Sequence, residues 1–304
     1  MRPSVFIDGA AGTTGLEIRE RLGTRDDLRL IVLDDARRKD AGARREALND
    51  ADVAILCLPD NAAREAVSLI DGQTKVIDAS SAHRVADGWT YGFPELGFEV
   101  AAARLVSNPG CYPTGFLALV APLVRAGLIP ADWPTTVNAV SGYSGGGKAM
   151  IERFEADHSI AFRGYAYGLD HKHVPEMQRH AGLSHAPVFA PGVIRAFRGM
   201  VVEVPLPLAA LPGRPSRAAL LDALYAAFAG KPLVRVHDAM PGELLVATAA
   251  TPTDRLDLYV AADAAGTQAR LIATLDNLGK GAAGAAVQNL NLLAGLDPLA
   301  GLIL

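Results

Sequence analysis

One cysteine sits in a run of turn formers, Ser107-Asn108-Pro109-Gly110-Cys111-Tyr112-Pro113-Thr114-Gly115. Asn-Pro and Pro-Gly favour a tight turn, and Gly110 can take a positive φ. Arg104-Leu105-Val106 before it reads as a short strand. Pro113 suits the first turn of a helix, which Phe116 to Val124 continue. Cys111 is therefore expected where a sharp turn feeds a helix N-terminus. The partial positive charge there favours thiolate over thiol, and the thiolate is the nucleophile. A buried structural thiol is the commoner fate of a free cysteine, but that fate suits an apolar strand. Cys57 has such a strand around it, Val53-Ala54-Ile55-Leu56-Cys57-Leu58, and is expected in the core.

The second stretch dense in chemistry is His171-Lys172-His173-Val174-Pro175-Glu176. No Cys or further His stands at a spacing that would make the two histidines metal ligands, so no metal is expected. Pro175 opens a helix and Glu176 lies in its first turn. A histidine beside a carboxylate reads as a general acid/base at neutral pH. His173, nearest the helix start and oriented by Glu176, is the expected proton-transfer residue. His171 shares its face only if the segment is extended, and would then bind substrate. His83, His158, His180, His185 and His237 read as ordinary surface or core residues.

These groups need elements to hold them. Val5-Phe6-Ile7-Asp8 is a continuous apolar strand, Gly9-Ala10-Ala11-Gly12-Thr13-Thr14-Gly15 follows, and Leu16 to Leu22 has helical spacing. Strand, glycine turn and helix form a cradle for a dinucleotide pyrophosphate, here in the relaxed spacing G-x-x-G-x-x-G. The next strand, Leu28 to Leu33, ends in Asp34-Asp35-Ala36-Arg37-Arg38-Lys39. An acid there suits the ribose of NAD, and cations suit the 2′-phosphate of NADP. Three consecutive cations in a chain of net charge -4 favour NADP(H). Further strands at Asp52 to Leu58 and Lys75 to Asp78 alternate with the helix Asn61 to Ile70, which predicts a doubly wound parallel sheet. Ala79-Ser80-Ser81-Ala82-His83-Arg84 then lies past a strand's carboxyl end, where Arg84 could hold a phosphate or carboxylate.

Beyond the Pro113 helix the alternation changes. The strand Thr135 to Val140 runs into Ser141-Gly142-Tyr143-Ser144-Gly145-Gly146-Gly147-Lys148-Ala149. This nearly matches a P-loop, but Ala149 replaces the magnesium-binding hydroxyl, so it reads as an anion-contacting loop before the helix Met150 to Asp157. From Pro187 onward an antiparallel pattern is expected. It has a long segment Val193 to Pro205, a helix Ser216 to Ala229 and a hairpin of Leu256 to Ala262 with Thr267 to Leu275. Gly279-Lys280-Gly281-Ala282-Ala283-Gly284 opens a last helix through Leu293.

The whole composition bounds the class of protein. Half of the 304 residues are hydrophobic, ample for one large or two ordinary domains. The net charge and the lack of a long basic run argue against nucleic acid or anionic membrane as partner. Two cysteines fit reduced, cytoplasmic usage rather than a disulfide framework. Met1 is followed almost at once by a strand, so no targeting peptide is expected, and the longest apolar stretches are too short, or broken by Pro122, to span a bilayer.

Five stretches in order resemble the N-acetyl-gamma-glutamyl-phosphate reductase family, in its short form. They are the glycine turn, Asn108-Pro109-Gly110-Cys111-Tyr112, the Ser141-Gly142 loop, His171-Lys172-His173-Val174-Pro175-Glu176, and Gly281-Ala282-Ala283-Gly284 with Gln288-Asn289. The resemblance covers nearly the whole chain. It implies an N-terminal Rossmann domain (1–112), a mixed α+β catalytic and oligomerisation domain (113–278), and a C-terminal helix (279–304) returning to the first. It also implies that Cys111 is acylated, with the base drawn from His171-Lys172-His173, in NADPH-dependent reduction of N-acetyl-glutamyl 5-phosphate to the semialdehyde in arginine biosynthesis. Gly9, Gly12, Thr13, Thr14, Gly15, Arg37, Arg38, Lys39, Ser80 and Asn289 would hold the cofactor. Arg84, Asn108, Ser141, Gly142, Lys148, His171, Arg195 and Arg198 would line the substrate site, and the enzyme would be a homo-oligomer, dimer or tetramer. One departure is Ser81-Ala82-His83-Arg84, which stands where the longer form has Ala-Asp-Phe-Arg. The alternatives are an aspartate-semialdehyde dehydrogenase, which shares the thioester logic, and a non-catalytic dinucleotide-binding redox sensor. The sensor gives no reason for His171 to Glu176.

Overall fold

The computed structural model describes residues 2–34 and 36–304, so Asp35 of the expected acidic pair lies outside them. The chain forms two compact units, Met1–Gly110 with Ala282–Ile303, and Cys111–Gly281. The sequence places these seams at 112/113 and 278/279.

In chain order the first unit contains β1 (Ser4–Asp8), α1 (Thr13–Gly23), β2 (Arg29–Ile31), α2 (Ala41–Asp50), β3 (Val53–Leu56), α3 (Asp60–Ser68), β4 (Lys75–Asp78), β5 (Thr90–Tyr91) and β6 (Leu105–Ser107). The strands form one parallel sheet in the order β2-β1-β3-β4-β6-β5. Residues of β1 and β3 are buried throughout, as strands covered on both faces must be. Their side chains alternate between two cores. Val5, Ile7, Val53 and Ile55 pack with α1, while Phe6, Ala54 and Leu56 pack with α2 and α3. The order reverses between β1 and β3, the switch point where such sheets open a crevice at the strands' carboxyl ends.

The second unit holds α4 (Cys111–Arg125), β7 (Thr136–Gly142), α5 (Lys148–Ala156), β8 (Phe162–Gly164), α6 (Val174–Ala181), β9 (Val188–Ile194), β10 (Met200–Leu206), α7 (Arg217–Phe228), β11 (Val234–His237), β12 (Leu256–Ala262) and β13 (Ala269–Leu275). Its seven strands run β11-β12-β13-β10-β7-β9-β8. The antiparallel pattern expected after Pro187 is corrected in two places, because β9 pairs parallel with β7 and β11 parallel with β12. The long segment Val193 to Pro205 is divided between the end of β9 and most of β10. The chain turns at 195–199, where Gly199 has φ +99° and its N–H binds Asn277 Oδ1 at 2.9 Å. Helix α4 is buried from Tyr112 to Leu123, and Ser216 caps α7 through the Ala219 N–H. A π-helical turn, Gly279–Ala283, leads into α8 (Gly284–Ala294), which returns to the first unit. Among the described residues, no helix is long and apolar enough to cross a membrane.

Candidate active site

In the N-terminal unit, the glycine turn is shaped by exclusion. Gly9 has φ +88°, and a Cβ there would lie 2.2 Å from the Cys57 carbonyl oxygen. A Cβ on Gly15 would lie 2.5 Å from the Gly9 oxygen. Gly12 precedes α1 directly, so Thr13 and Thr14 present the free backbone N–H groups of a helix start. Thr13 Oγ1 is buried without a hydrogen-bond partner among the described residues. Beside this turn opens a cavity of about 400 Å³, lined by Gly9, Arg19, Arg38, Lys39 and Arg44 among others. A bare-backbone cradle, an orphaned hydroxyl and clustered cations fit a phosphate-bearing dinucleotide.

The basic run divides within this unit. Arg38 and Lys39 line the cavity, whereas Arg37 pairs with Glu46 at 2.9 Å, both exposed. Asp34 is not at the cavity. Its carboxylate accepts from the N–H groups of Ala36 and Arg37 at 3.0 and 2.8 Å and so closes the turn. The acid that does line the cavity is Asp8, paired with Arg44 at 2.8 Å. Sequence reading missed both Asp8 and Arg44. Asp8 is legible as the last residue of the first strand, but Arg44 has no local signal.

Past β4 the loop is tied to buried Asp78. Its carboxylate accepts from Ser80 N–H and Oγ at 2.9 and 2.8 Å and pairs with His83 Nδ1 at 2.6 Å, the His83 ring stacking on Trp89. His83 is thus a specific loop anchor rather than an ordinary residue. Buried Arg84 donates Nε–H to the Asn108 carbonyl at 3.0 Å and Nη2–H to the Ala79 carbonyl. Asn108 Nδ2 donates to the Ala282 carbonyl, and its Oδ1 accepts from Asn289 Nδ2, both at 3.0 Å. Asn289 also donates to the Gly92 carbonyl. These polar groups therefore brace the Asn108-Pro109-Gly110 turn from within, a correction to reading Asn108 and Asn289 purely as ligand contacts.

In the second unit Cys111 is the first residue of α4. Tyr112 stands beside it, with ring centroids 6.1 Å from His171, 5.8 Å from His173 and 5.1 Å from Phe189. The Tyr112 hydroxyl donates to the Gly192 carbonyl at 2.9 Å. Burial holds it far above the usual phenol range, and negative charge at Tyr165 and Cys111 pushes the same way. Tyr165 is raised too, by burial first, with the Cys111 charge acting in the same direction. Both phenols thus stay neutral beside the thiol. Neither was anticipated, although Tyr112 adjoins the cysteine in sequence.

The histidines come together by a turn, although the sequence pattern lets them share a face only in an extended segment. Val174 N–H binds the His171 carbonyl at 2.9 Å, and His173, with helical φ and ψ, caps α6, leaving Pro175 second in the helix. The His173 N–H donates to His171 Nδ1 at 3.1 Å. The neutral His171 ring therefore carries its proton on Nε2, which faces Tyr165 Oη at 3.2 Å. His173 Nε2 lies 3.9 Å from Glu176 Oε1, an ion-pair separation, and both side chains are buried.

The expected substrate residues separate. Ser141 is buried and donates to the Gly142 carbonyl. A Cβ on Gly142 would lie 2.7 Å from the Phe197 oxygen, so glycine serves packing there. Lys148 is exposed at the start of α5. Arg198 pairs with buried Asp276 at 2.8 Å. Arg195 is corrected outright. Its guanidinium donates to the carbonyls of Phe154 and Asp157, its Nε–H to that of Ile160, and it meets His158 Nδ1. That arginine clamps the α5 to β8 connection. Cys57, just past β3, has its thiol pushed up to about 12 by burial and by the nearby Asp78 and Asp8 carboxylates, which makes it inert. Among the described residues no group of three or more His, Cys, Asp or Glu is arranged to hold a metal ion.

Comparison with known proteins agrees with this geometry. Residues 4–103 match the semialdehyde dehydrogenase NAD-binding domain, and residues 111–277 match the semialdehyde dehydrogenase dimerisation domain. Those two segments define an oxidoreductase of the semialdehyde dehydrogenase class. The chain is 48% identical to an N-acetyl-gamma-glutamyl-phosphate reductase of Trichormus variabilis, over 99% of both chains. It is 49% identical to one of Brucella anthropi, over 97% of this chain and 99% of that one. The chain belongs to the N-acetyl-gamma-glutamyl-phosphate reductase family, as its motifs imply. Aspartate semialdehyde dehydrogenase II of Vibrio cholerae shares the fold, with a TM-score of 0.71 at 19% identity, covering 97% of this chain and 99% of that one.

Proposed function

We propose that the protein reduces N-acetyl-L-glutamyl 5-phosphate to N-acetyl-L-glutamate 5-semialdehyde and phosphate, with NADPH as reductant and Cys111 as the acylated residue. The observation that carries the reading is a thiol on the first residue of a helix, with the phenols of Tyr112 and Tyr165 close enough to feel its charge and with His171 and His173 packed on the Tyr112 ring. The Cys111 thiolate attacks the acyl carbon, the C–O bond to phosphate breaks, and a thioester remains. NADPH, when bound, supplies the hydride that reduces this thioester. The carbonyl oxygen gains a proton as it gains charge; on collapse that proton passes back to the base, the C–S bond breaks, and the aldehyde and the thiolate are released. His173 takes the thiol proton and later returns one to that oxygen. His171 is poorly suited to the task, since its Nδ1 already accepts the His173 N–H and its Nε2 faces Tyr165. It orients the pair instead.

NADP(H) is favoured because Arg38 and Lys39 face the cavity, while the Asp34 carboxylate is spent on its own turn. A homo-oligomer is supported by the matched dimerisation segment, and the two-thiol composition suits the cytoplasm.

The reading is tested by trapping. Enzyme incubated with the acyl phosphate but without NADPH should carry an acyl group on the peptide containing Cys111. Acylation elsewhere, or none, would overturn it. Faster turnover of aspartyl phosphate would reassign the substrate.

A further inference from the structure

We infer that Gly281 is a positioning residue for the Cys111 sulfur, an inference that rests on reading Cys111 as the nucleophile. The π-helical turn Gly279–Ala283 follows β13. Such turns are rare in helices and occur frequently at functional sites. Here the turn closes through Gly281 N–H to the Asp276 carbonyl at 3.0 Å. Asp276 is itself fixed, since its carboxylate accepts from Leu278 N–H at 2.9 Å and pairs with Arg198 at 2.8 Å.

Against that fixed frame Gly281 presents a bare Cα to the cysteine. A Cβ built on it would lie 2.9 Å from Cys111 Cβ, 3.4 Å from Cys111 Cα and 3.1 Å from the Asp276 oxygen. The φ of Gly281 is not in the left-handed region, so glycine is required for space rather than for dihedral freedom. Atoms so near the backbone cannot swing aside as the end of a lysine can. A side chain at 281 must therefore displace the first turn of α4 or the π turn itself. With glycine in place, the turn forms a close wall on one side of Cys111 and restricts the directions its sulfur can take. Gly279, two residues earlier, supplies a contrast. A Cβ there would lie 1.9 Å from the Thr253 oxygen, and its three nearest atoms belong to Thr253 and Asp254.

The test compares Gly281→Ala with Gly279→Ala in the full chain, each also made in a Cys111→Gly background. Iodoacetamide alkylation of Cys111 is followed against pH, with kcat, KM and urea unfolding. Gly281→Ala should lower kcat tenfold or more and displace the alkylation pH profile, with NADPH affinity within twofold of wild type. Gly279→Ala should lose stability but keep the wild-type alkylation profile in its folded fraction. The Gly281→Ala stability loss should shrink when Cys111 lacks its Cβ, and the Gly279→Ala loss should not. Wild-type kcat and alkylation in Gly281→Ala would overturn the inference. An unfolding cost that is the same with and without the Cys111 Cβ would do so too, as would Gly281→Ala failing to fold in both backgrounds. The unfolding cycle is independent of which residue is acylated, so its failure is distinct from failure of the trapping experiment.

Discussion

The dinucleotide cradle presents mainly backbone. Seven consecutive residues, Gly9 to Gly15, supply its turn, and two of its glycines exclude any Cβ. Around Tyr112, which adjoins the cysteine, side chains act instead, and they come from distant stretches: Tyr165, His171 with His173, and Phe189. A backbone cradle tolerates change in its side chains but not in its glycines. A side-chain cluster fails one group at a time, and the size of each failure reports that group's role.

That contrast sets the order of expected effects. Cys111→Ser should cost about a thousandfold or more in turnover, because a hydroxyl lacks the thiolate's nucleophilicity. NADPH binding, measured by fluorescence titration, should stay as in wild type, and joint loss of both would deny that the two regions act separately. Next comes His173→Asn, with a loss of about 10²–10⁴-fold in kcat, the range for a general acid/base. Alkylation of Cys111 should also need a higher pH, whereas His171→Asn should leave more turnover. The reverse ranking would exchange their roles.

In the cavity, Arg38→Ala with Lys39→Ala should raise the NADPH Michaelis constant about tenfold or more, since a hydrogen bond to a charged group contributes roughly 1.5–3 kcal/mol. NADH should respond little. Arg37→Ala should change neither constant measurably, because its pair with Glu46 is exposed. Equal losses for both cofactors would show that the 2′-phosphate lies elsewhere. The smallest effect concerns Cys57. Only Cys111 should alkylate at pH 8 in the folded enzyme. Burial raises the Cys57 thiol from 9.0 to about 12, so the unfolded chain releases this proton first. Its contribution to stability is full below pH 9.0 and falls as pH climbs towards 12. Cys57→Ala should flatten that alkaline slope in unfolding experiments.

The same contrast explains what was legible. The parallel sheet could be read because each βα unit is local in sequence and its strands are continuous apolar runs. Cys111 at a helix start was legible from Pro109, Gly110 and Pro113. The division of the basic run was not, since it depends on where Glu46 lies across a helix. Arg195 looked like an available cation because nothing nearby in sequence shows that three carbonyls, from residues 154 to 160, converge on it. Tyr165 was missed for a similar reason. Its meeting with His171 is a property of the loop's path and not of spacing. The break between β9 and β10 turns on Gly199 and on Asn277, 78 residues further along the chain.

Helix α8 carries a consequence for how the chain is made. Ala286, Val287, Leu290 and Leu293 belong to the same core as Val5, Ile18 and Val53. Lys75 Nζ donates to the Leu293 carbonyl at 2.6 Å, and Arg25 Nη1 to Asn291 Oδ1 at 2.7 Å. The unit whose main part precedes the second unit in the chain is thus completed by a segment translated after that second unit. On the ribosome the parallel sheet emerges with one face covered by α1 but not yet by α8, and the loop closed by the docking of α8 spans the entire second unit. The intervening segment, Cys111–Gly281, is contiguous and can reach its own core earlier. Nascent chains arrested with α8 still inside the exit tunnel should be cut by protease in residues 2–110 and resist it in the middle segment, an inversion of the usual N-terminal-first order of domain folding.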